Sequence, residues 1–171
     1  SRLSEGALLG EGDAAARLLA ALDEGALPSA GATELSTALL TGTTAVLDSA
    51  PTGDCLLPGD TVLIINLQGA PGKVDNVGNY ELLTVTTVAA STVTFSSLKL
   101  KNYGDATGGD ADIGVTAGQQ RVMLQRVPVF STLEYAFGDG GTLTADGWDG
   151  GSGGVFALRA TAAVNLSGPL D

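Results

Sequence analysis

The sequence predicts a mainly-β protein: a small β-barrel or sandwich with a short N-terminal helix and further strands at its C-terminal end. From residue 33 onward, short runs of β-branched and apolar residues alternate with turns rich in Gly, Asp and Pro. The chain contains 25 glycines, and helix-forming residues are concentrated before residue 33. We therefore divide the chain into a helical arm (residues 1–32), a barrel or sandwich (33–128) and a β extension (129–171).

The predicted helix lies in the segment "GDAAARLLAALDEGALP". Asp13 is a suitable N-cap, and Gly25 with Pro28 provides a stop. The apolar stripe of this helix consists of Leu18, Leu19 and Leu22. An amphipathic helix packed on the main body explains the stripe, and an arm that joins subunits is the alternative.

Six strands are predicted in the central part of the chain. The segment "STALLTGTTAVLDSA" suggests two short strands around Gly42, and "DTVLIINLQ" predicts one buried strand. The segment "NYELLTVTTVAASTVTFSSL" holds two runs of β-branched residues joined near Ala89 to Ser91. A further strand, "QQRVMLQRVPVF", is ended by Pro128. Short, closely spaced strands are typical of a small barrel or sandwich.

The chain after Pro128 contains three more strand candidates, "STLEYAF", "GTLTAD" and "GGVFALRATAAVNLSG". The last candidate alternates with period two, and its apolar face consists of Phe156, Leu158, Ala160, Ala162, Val164 and Leu166. We expect these strands to extend the barrel or sandwich. Whether these strands also form the first rungs of a β-helix is left open.

The charge of the chain argues against two classes of partner. Eight Lys and Arg residues face 19 Asp and Glu residues, which gives a formal net charge of −11. Nucleic acid and anionic membranes both require positive charge, so we expect neither as a partner. No apolar run reaches about 18 residues, so no membrane insertion is expected. The single cysteine, Cys55, permits no internal disulfide.

The sequence offers no catalytic constellation. The chain has no histidine to activate a serine, and no GxSxG motif is present. Paired carboxylates among Asp139, Asp146 and Asp149, beside Trp148, are one route to glycoside hydrolysis. Asp next to Gly is far more often a turn. We therefore predict no catalytic residues and no enzymatic activity.

Calcium is the one cofactor that the acidic residues suggest. Ca²⁺ takes several oxygen ligands from flexible loops. One candidate group is Asp139, Asp146 and Asp149, and a second is Asp105, Asp110 and Asp112. Neither group has the spacing of an EF-hand or of the nonapeptide calcium repeat. Solvated turn acids are the alternative explanation for both groups.

An ordered series of segments resembles a known module. The series consists of "PGDTVLIINLQGA", "VGNYELLTVTTVAASTVTFSSLKLKNY", "QRVMLQRVPVFSTLEY" and "GGTLTADGWDGGSGGVFALRATAAVNLSGPLD". It resembles a module of large bacterial secreted and cell-surface proteins, found in adhesin-like and motility-associated chains. The resemblance covers roughly residues 43–171. It implies a non-catalytic, extracellular role and supplies no catalytic residues.

Under this resemblance, three residues have structural roles. Pro58, followed by Gly59, makes a turn before the buried strand, and Gly69 closes the segment after it. Trp148, the only tryptophan, is expected to anchor the Gly-rich turn between the last two strands, with its side chain buried and its N–H paired.

The sequence therefore predicts a structural or adhesive module, secreted or on the surface of a bacterial cell. One alternative is a self-assembling subunit of an extracellular filament or sheath, whose partner is the chain itself. A second is a calcium-dependent module that binds surface glycans. A third, a β-helix enzyme acting on polysaccharide, is weakened by the missing histidine.

Overall fold

A computed structural model describes residues 34–105, 109–136 and 145–167 of the chain. The predicted N-terminal helix lies outside these residues. The described part is mainly β and contains no helix, which confirms the predicted class. Its strands are β1 (Glu34–Leu40), β2 (Thr44–Leu47), β3 (Thr61–Gln68), β4 (Tyr80–Ala89), β5 (Thr92–Phe95), β6 (Arg121–Val127), β7 (Val129–Ala136) and β8 (Arg159–Ser167).

Strands β1 to β6 form a closed barrel in the order β1–β2–β5–β4–β3–β6, so the barrel alternative is the observed one. Antiparallel pairing of β1 with β6 closes the barrel, with Glu34 opposite Gln125. The pairs β1–β2, β2–β5, β5–β4 and β4–β3 are also antiparallel. The strands on both sides of Gly42, the buried strand and the hairpin near Ala90 all form where the sequence predicted them.

The barrel interior is filled by the inward-pointing residue of every second strand position. The cluster comprises Leu40, Ala45, Leu47, Val62, Ile64, Leu83, Val85, Val93, Phe95, Val122 and Leu124, together with Leu56, Tyr103 and Ile113 from the loops. Burial of each large aliphatic side chain contributes about 1.5–3 kcal/mol. A shared apolar interior thus accounts for the register of the six strands.

Strand β6 is buried on both of its faces. Val122 and Leu124 point into the barrel, while Met123 and Gln125 are buried on the outside. The segment 147–153 lies against this outer surface, and the Gly153 N–H points at the Met123 sulfur at 3.5 Å. This cover explains why the sequence of β6 shows no polar face.

Strands β7 and β8 form a separate two-stranded sheet, which belongs to a second compact unit of the chain. They pair in parallel, with Val129 opposite Arg159, and the Arg159 N–H donates to the Pro128 carbonyl at 2.9 Å. The strand predicted over residues 153–168 begins only at Arg159. Gly153 and Gly154 have φ angles of +99° and +75°, which no strand residue adopts.

The apolar face predicted for the last strand is not a core face. The side chains of Phe156 and Val164 are 42% and 46% exposed. No helix in the described ranges is long and apolar enough to cross a membrane.

Substitution of Ile64 tests the barrel core. Its side chain is fully buried in the central cluster, so Ile64→Ala should lower the free energy of unfolding by about 3 kcal/mol. Leu100→Ala is the control, because Leu100 is 90% exposed and should change stability by less than about 0.5 kcal/mol. Urea denaturation measures both, and equal effects would contradict the described core.

Candidate functional site

One group of polar residues of the barrel unit converges on one end of the barrel. We call residues 99–105 and 109–120 the barrel-end loop; they lie between β5 and β6. Tyr103 and Ile113 from this loop are buried in the core cluster. Their burial places the polar side chains of the loop beside those of β3 and β4.

Glu81 of β4 binds three groups of the barrel-end loop. Its Oε1 accepts a hydrogen bond from the Tyr103 hydroxyl at 2.8 Å. The backbone N–H groups of Leu100 and Lys101 donate to the two oxygens of the same carboxylate, at 2.9 and 3.3 Å. Burial of the phenol, followed by the neighbouring Glu81 carboxylate, raises the pKa of Tyr103 far above its usual value.

Asn66 and Gln120 form a buried amide pair at the same end of the barrel. The Asn66 Nδ2 donates to the Tyr103 carbonyl at 2.7 Å and to the Gln120 Oε1 at 3.0 Å. The Gln120 Nε2 donates to the Lys73 carbonyl at 2.9 Å. Both side chains are fully buried, so they connect three stretches of chain inside a region that water does not reach.

Two further asparagines hold the backbone of the barrel-end loop from outside. The Asn76 Nδ2 donates to the carbonyls of Gly104 and Asp105, each at 3.1 Å. The Asn79 Nδ2 donates to the Asn102 carbonyl at 2.9 Å. These contacts satisfy loop carbonyls that have no strand partner.

Lysine ammonium groups lie against the acidic residues of this loop. Lys73 bonds to Asp105 at 3.2 Å and to Asp112 at 3.3 Å, and these two carboxylates raise the pKa of Lys73, Asp105 the more. Lys99 forms an ion pair with Asp110. Calcium ligation by this group of acids would have to displace both ammonium groups.

The other proposed calcium ligands remain a prediction. Asp139 lies outside the described residues. The Asp149 Oδ1 accepts hydrogen bonds from the backbone N–H groups of Ser152 and Gly151, at 2.7 and 2.8 Å, and these lower the pKa of Asp149. The Asp146 carbonyl accepts from the Gly154 N–H at 2.7 Å. Within the residues the structure describes, no three Cys, Asp or Glu side chains are grouped as metal ligands.

Trp148 is more exposed than expected. Its side chain is 44% exposed on the segment 147–153, so the full burial expected from the sequence does not occur. A turn rich in Gly and Asp supplies few apolar atoms itself, so the burial of its indole depends on the other segments that lie beside it. The structural role of Trp148 stays a prediction.

Pro58 and Gly69 stand at the two ends of β3. Pro58 lies in a turn in which Gly59 has a φ angle of +93° and the Leu57 N–H donates to the Asp60 carboxylate at 2.8 Å. Gly69 lies so close to the Lys73 carbonyl that a Cβ would collide with it. Such contacts support the structural roles expected for Pro58 and Gly69.

The sequence analysis missed Glu81, Tyr103, Asn66 and Gln120. One signal was available for two of them. Asn66 follows Val62 and Ile64 at the inward positions of β3, and Glu81 precedes Leu83 and Val85 at the inward positions of β4. A polar side chain at an inward position of a buried strand must have a buried hydrogen-bond partner. Such a residue therefore marks the end of the apolar core.

Comparisons with known proteins give two partial likenesses. No protein-family model matches the chain, and no curated protein matches it. The tailspike protein of Pseudomonas phage phi297 is 21% identical with a TM-score of 0.32, over 56% of this chain and 14% of the tailspike. The tailspike protein of Pseudomonas phage LKA1 is 16% identical with a TM-score of 0.33, over 60% of this chain and 16% of the tailspike. The chain thus spans less than a fifth of either tailspike.

Removal of the Tyr103 hydroxyl tests the link to Glu81. Tyr103→Phe should lower the free energy of unfolding by about 2 kcal/mol at pH 7, the scale of a hydrogen bond to a charged group. The folded-state pKa of Tyr103 lies above the unfolded value, so its contribution is complete below about pH 10 and is lost as the pH rises further. Urea denaturation between pH 7 and 11 should show the difference between the two proteins shrinking above about pH 10. A constant difference would refute the assignment.

Gly69→Ala tests the close approach of the backbone after β3. The added methyl group would meet the Lys73 carbonyl and, at 2.9 Å, a methyl group of Val77. We expect a loss of about 2 kcal/mol in the free energy of unfolding. Gly147→Ala is the matched control, because no atom lies within 4 Å of its added methyl group. Similar melting temperatures for the two variants would contradict the packing described here.

Proposed function

We propose that this chain is a non-catalytic structural or adhesive module of a bacterial surface protein, secreted or displayed outside the cell. The proposal rests on one observation: the polar groups at the end of the barrel are engaged in contacts with the barrel-end loop. Glu81, Asn66, Asn76 and Lys73 each bind the backbone or side chains of the barrel-end loop. They hold one rigid surface in place, which is what a binding or spacing module requires.

Two further observations support the same proposal. The segments that resemble the bacterial surface module include the strands of the barrel from β3 onward. The parallel pairing of β7 with β8 is the pairing that the rungs of a β-helix make.

A self-assembling subunit of a filament or sheath is the second candidate. It is favoured by large apolar side chains that the barrel leaves exposed, among them Tyr80, Leu82 and Leu100. Exposed apolar groups of this size on a small domain indicate a partner.

A carbohydrate-binding module is the third candidate, and the exposure of Trp148 favours it. An exposed indole next to acidic residues can stack on a sugar ring. The calcium dependence of this candidate rests on Asp139, Asp146 and Asp149.

Labelling of intact cells tests the proposed location. Antibodies raised against the barrel should label the surface of unpermeabilised source cells, and external protease should remove that labelling. In parallel, the purified chain should show only background turnover on glycan, peptide and ester substrates. Labelling that appears only after permeabilisation, or turnover that Asp149→Asn abolishes, would overturn the proposal.

A further inference from the structure

The outer side of β4 carries an exposed apolar face. Tyr80 and Leu82 are 57% and 51% exposed, and across the β3–β4 pair they stand opposite Ile65 and Leu63. Tyr80 and Leu82 are two residues apart on β4 and point to the same outer side, so together they form an apolar surface larger than a single exposed side chain.

A positive charge borders this surface. The Lys101 ammonium lies 4.8 Å from the centre of the Tyr80 ring, within the range of a cation–π contact. The chain has three lysines, of which Lys73 and Lys99 form ion pairs with aspartates. Lys101 makes no ion pair with any residue that the structure describes. We call Tyr80, Leu82 and Lys101 the Tyr80 face.

The charge of the chain indicates what could cover the Tyr80 face. With a net charge of −11, a second copy carries many more acidic than basic side chains. The segment 147–153 of the same barrel unit presents Trp148, 44% exposed, followed by Asp149, whose carboxylate is fixed by the Ser152 and Gly151 N–H groups. An aromatic side chain beside a fixed anion complements apolar groups beside an ammonium group that no described carboxylate pairs.

We propose that the Tyr80 face of one copy binds the Trp148 turn (residues 147–149) of a second copy. The two surfaces lie on different sides of the barrel, because the segment 147–153 packs on β6, and β3 separates β6 from β4. A contact between two different surfaces is heterologous, so each copy keeps one surface free and the assembly grows head to tail.

The contact is small, and this sets the conditions of the test. Only a few side chains on each partner form the contact, so its total buried area lies below about 1,200 Å². Interfaces of this size are weak and transient. Repulsion between acidic chains weakens it further at low salt. Self-association should therefore be measured at high protein concentration and near physiological ionic strength. The contact is a property of the purified chain, so its failure and the failure of surface labelling are separate results.

Complementation between two variants is the decisive experiment. Tyr80→Ser removes one surface and Trp148→Ser removes the other. In sedimentation-velocity runs the unmodified chain should form oligomers of increasing size, and each variant alone should self-associate about tenfold or more weakly. A mixture of the two variants still contains one intact surface of each kind, so it should form a dimer and stop there. A dimer that forms through two identical surfaces cannot be rescued in this way.

Three further variants, one of which is a control, complete the test. Leu39 of β1 is 51% exposed, as Leu82 is, and β1 is three strands from β4 in either direction around the barrel. Leu39→Ser should leave association unchanged, whereas Leu82→Ser should weaken it. Lys101→Glu tests the charge without removing an apolar side chain, and thermal unfolding confirms that each variant is folded.

Three results would overturn the proposal. The first is a folded chain that stays monomeric at millimolar concentration. The second is association that the Tyr80→Ser and Lys101→Glu variants retain. The third is a monomeric chain that polygalacturonate beads retain through Tyr80 and Lys101, because an acidic glycan would then be the partner of this face.

Discussion

The contact between the Glu81 carboxylate and the barrel-end loop is the interaction on which most of this structure depends. Tyr103 fills the end of the barrel with its ring, and a buried hydroxyl must have a partner. Glu81 provides that partner from an inward position of β4. The same carboxylate then binds the N–H groups of Leu100 and Lys101, so the loop backbone and the core side chain are fixed by one group.

The amide and ionic contacts around Glu81 act on different parts of the loop. Asn66 and Gln120 are shielded from water, where hydrogen bonds are stronger and an unpaired group is costly. The Lys73 pairs lie near the surface, with the Lys73 side chain 44% exposed, and exposed ion pairs contribute little to stability. The buried amides therefore set the path of the chain, and the ion pairs reduce repulsion between neighbouring aspartates.

The strands of the barrel could be predicted from the sequence because the information for them is local. A continuous apolar run identified β3, runs of β-branched residues identified β4 and β5, and Pro128 marked the end of β6. Barrel closure could not be predicted in the same way, since pairing of Glu34 with Gln125 joins strands that are distant in the sequence. The exposure of Trp148 could not be predicted from the sequence either, because burial depends on which other segments lie beside the turn.

The contact between Glu81 and the barrel-end loop also shapes the outer surface of the barrel. Lys101 reaches the Tyr80 ring because its backbone N–H is bonded to Glu81, one residue away from Tyr80 on β4. Adjacent residues of a strand point to opposite faces, so Glu81 turns inward to Tyr103 while Tyr80 turns outward to Lys101. Two neighbouring residues, Glu81 and Tyr80, thus connect the core to the exposed face. Loss of the Glu81 carboxylate would release both the Tyr103 phenol inside the barrel and the Lys101 ammonium outside it. The position of Lys101 on the outer face therefore depends on the same contact that stabilises the loop.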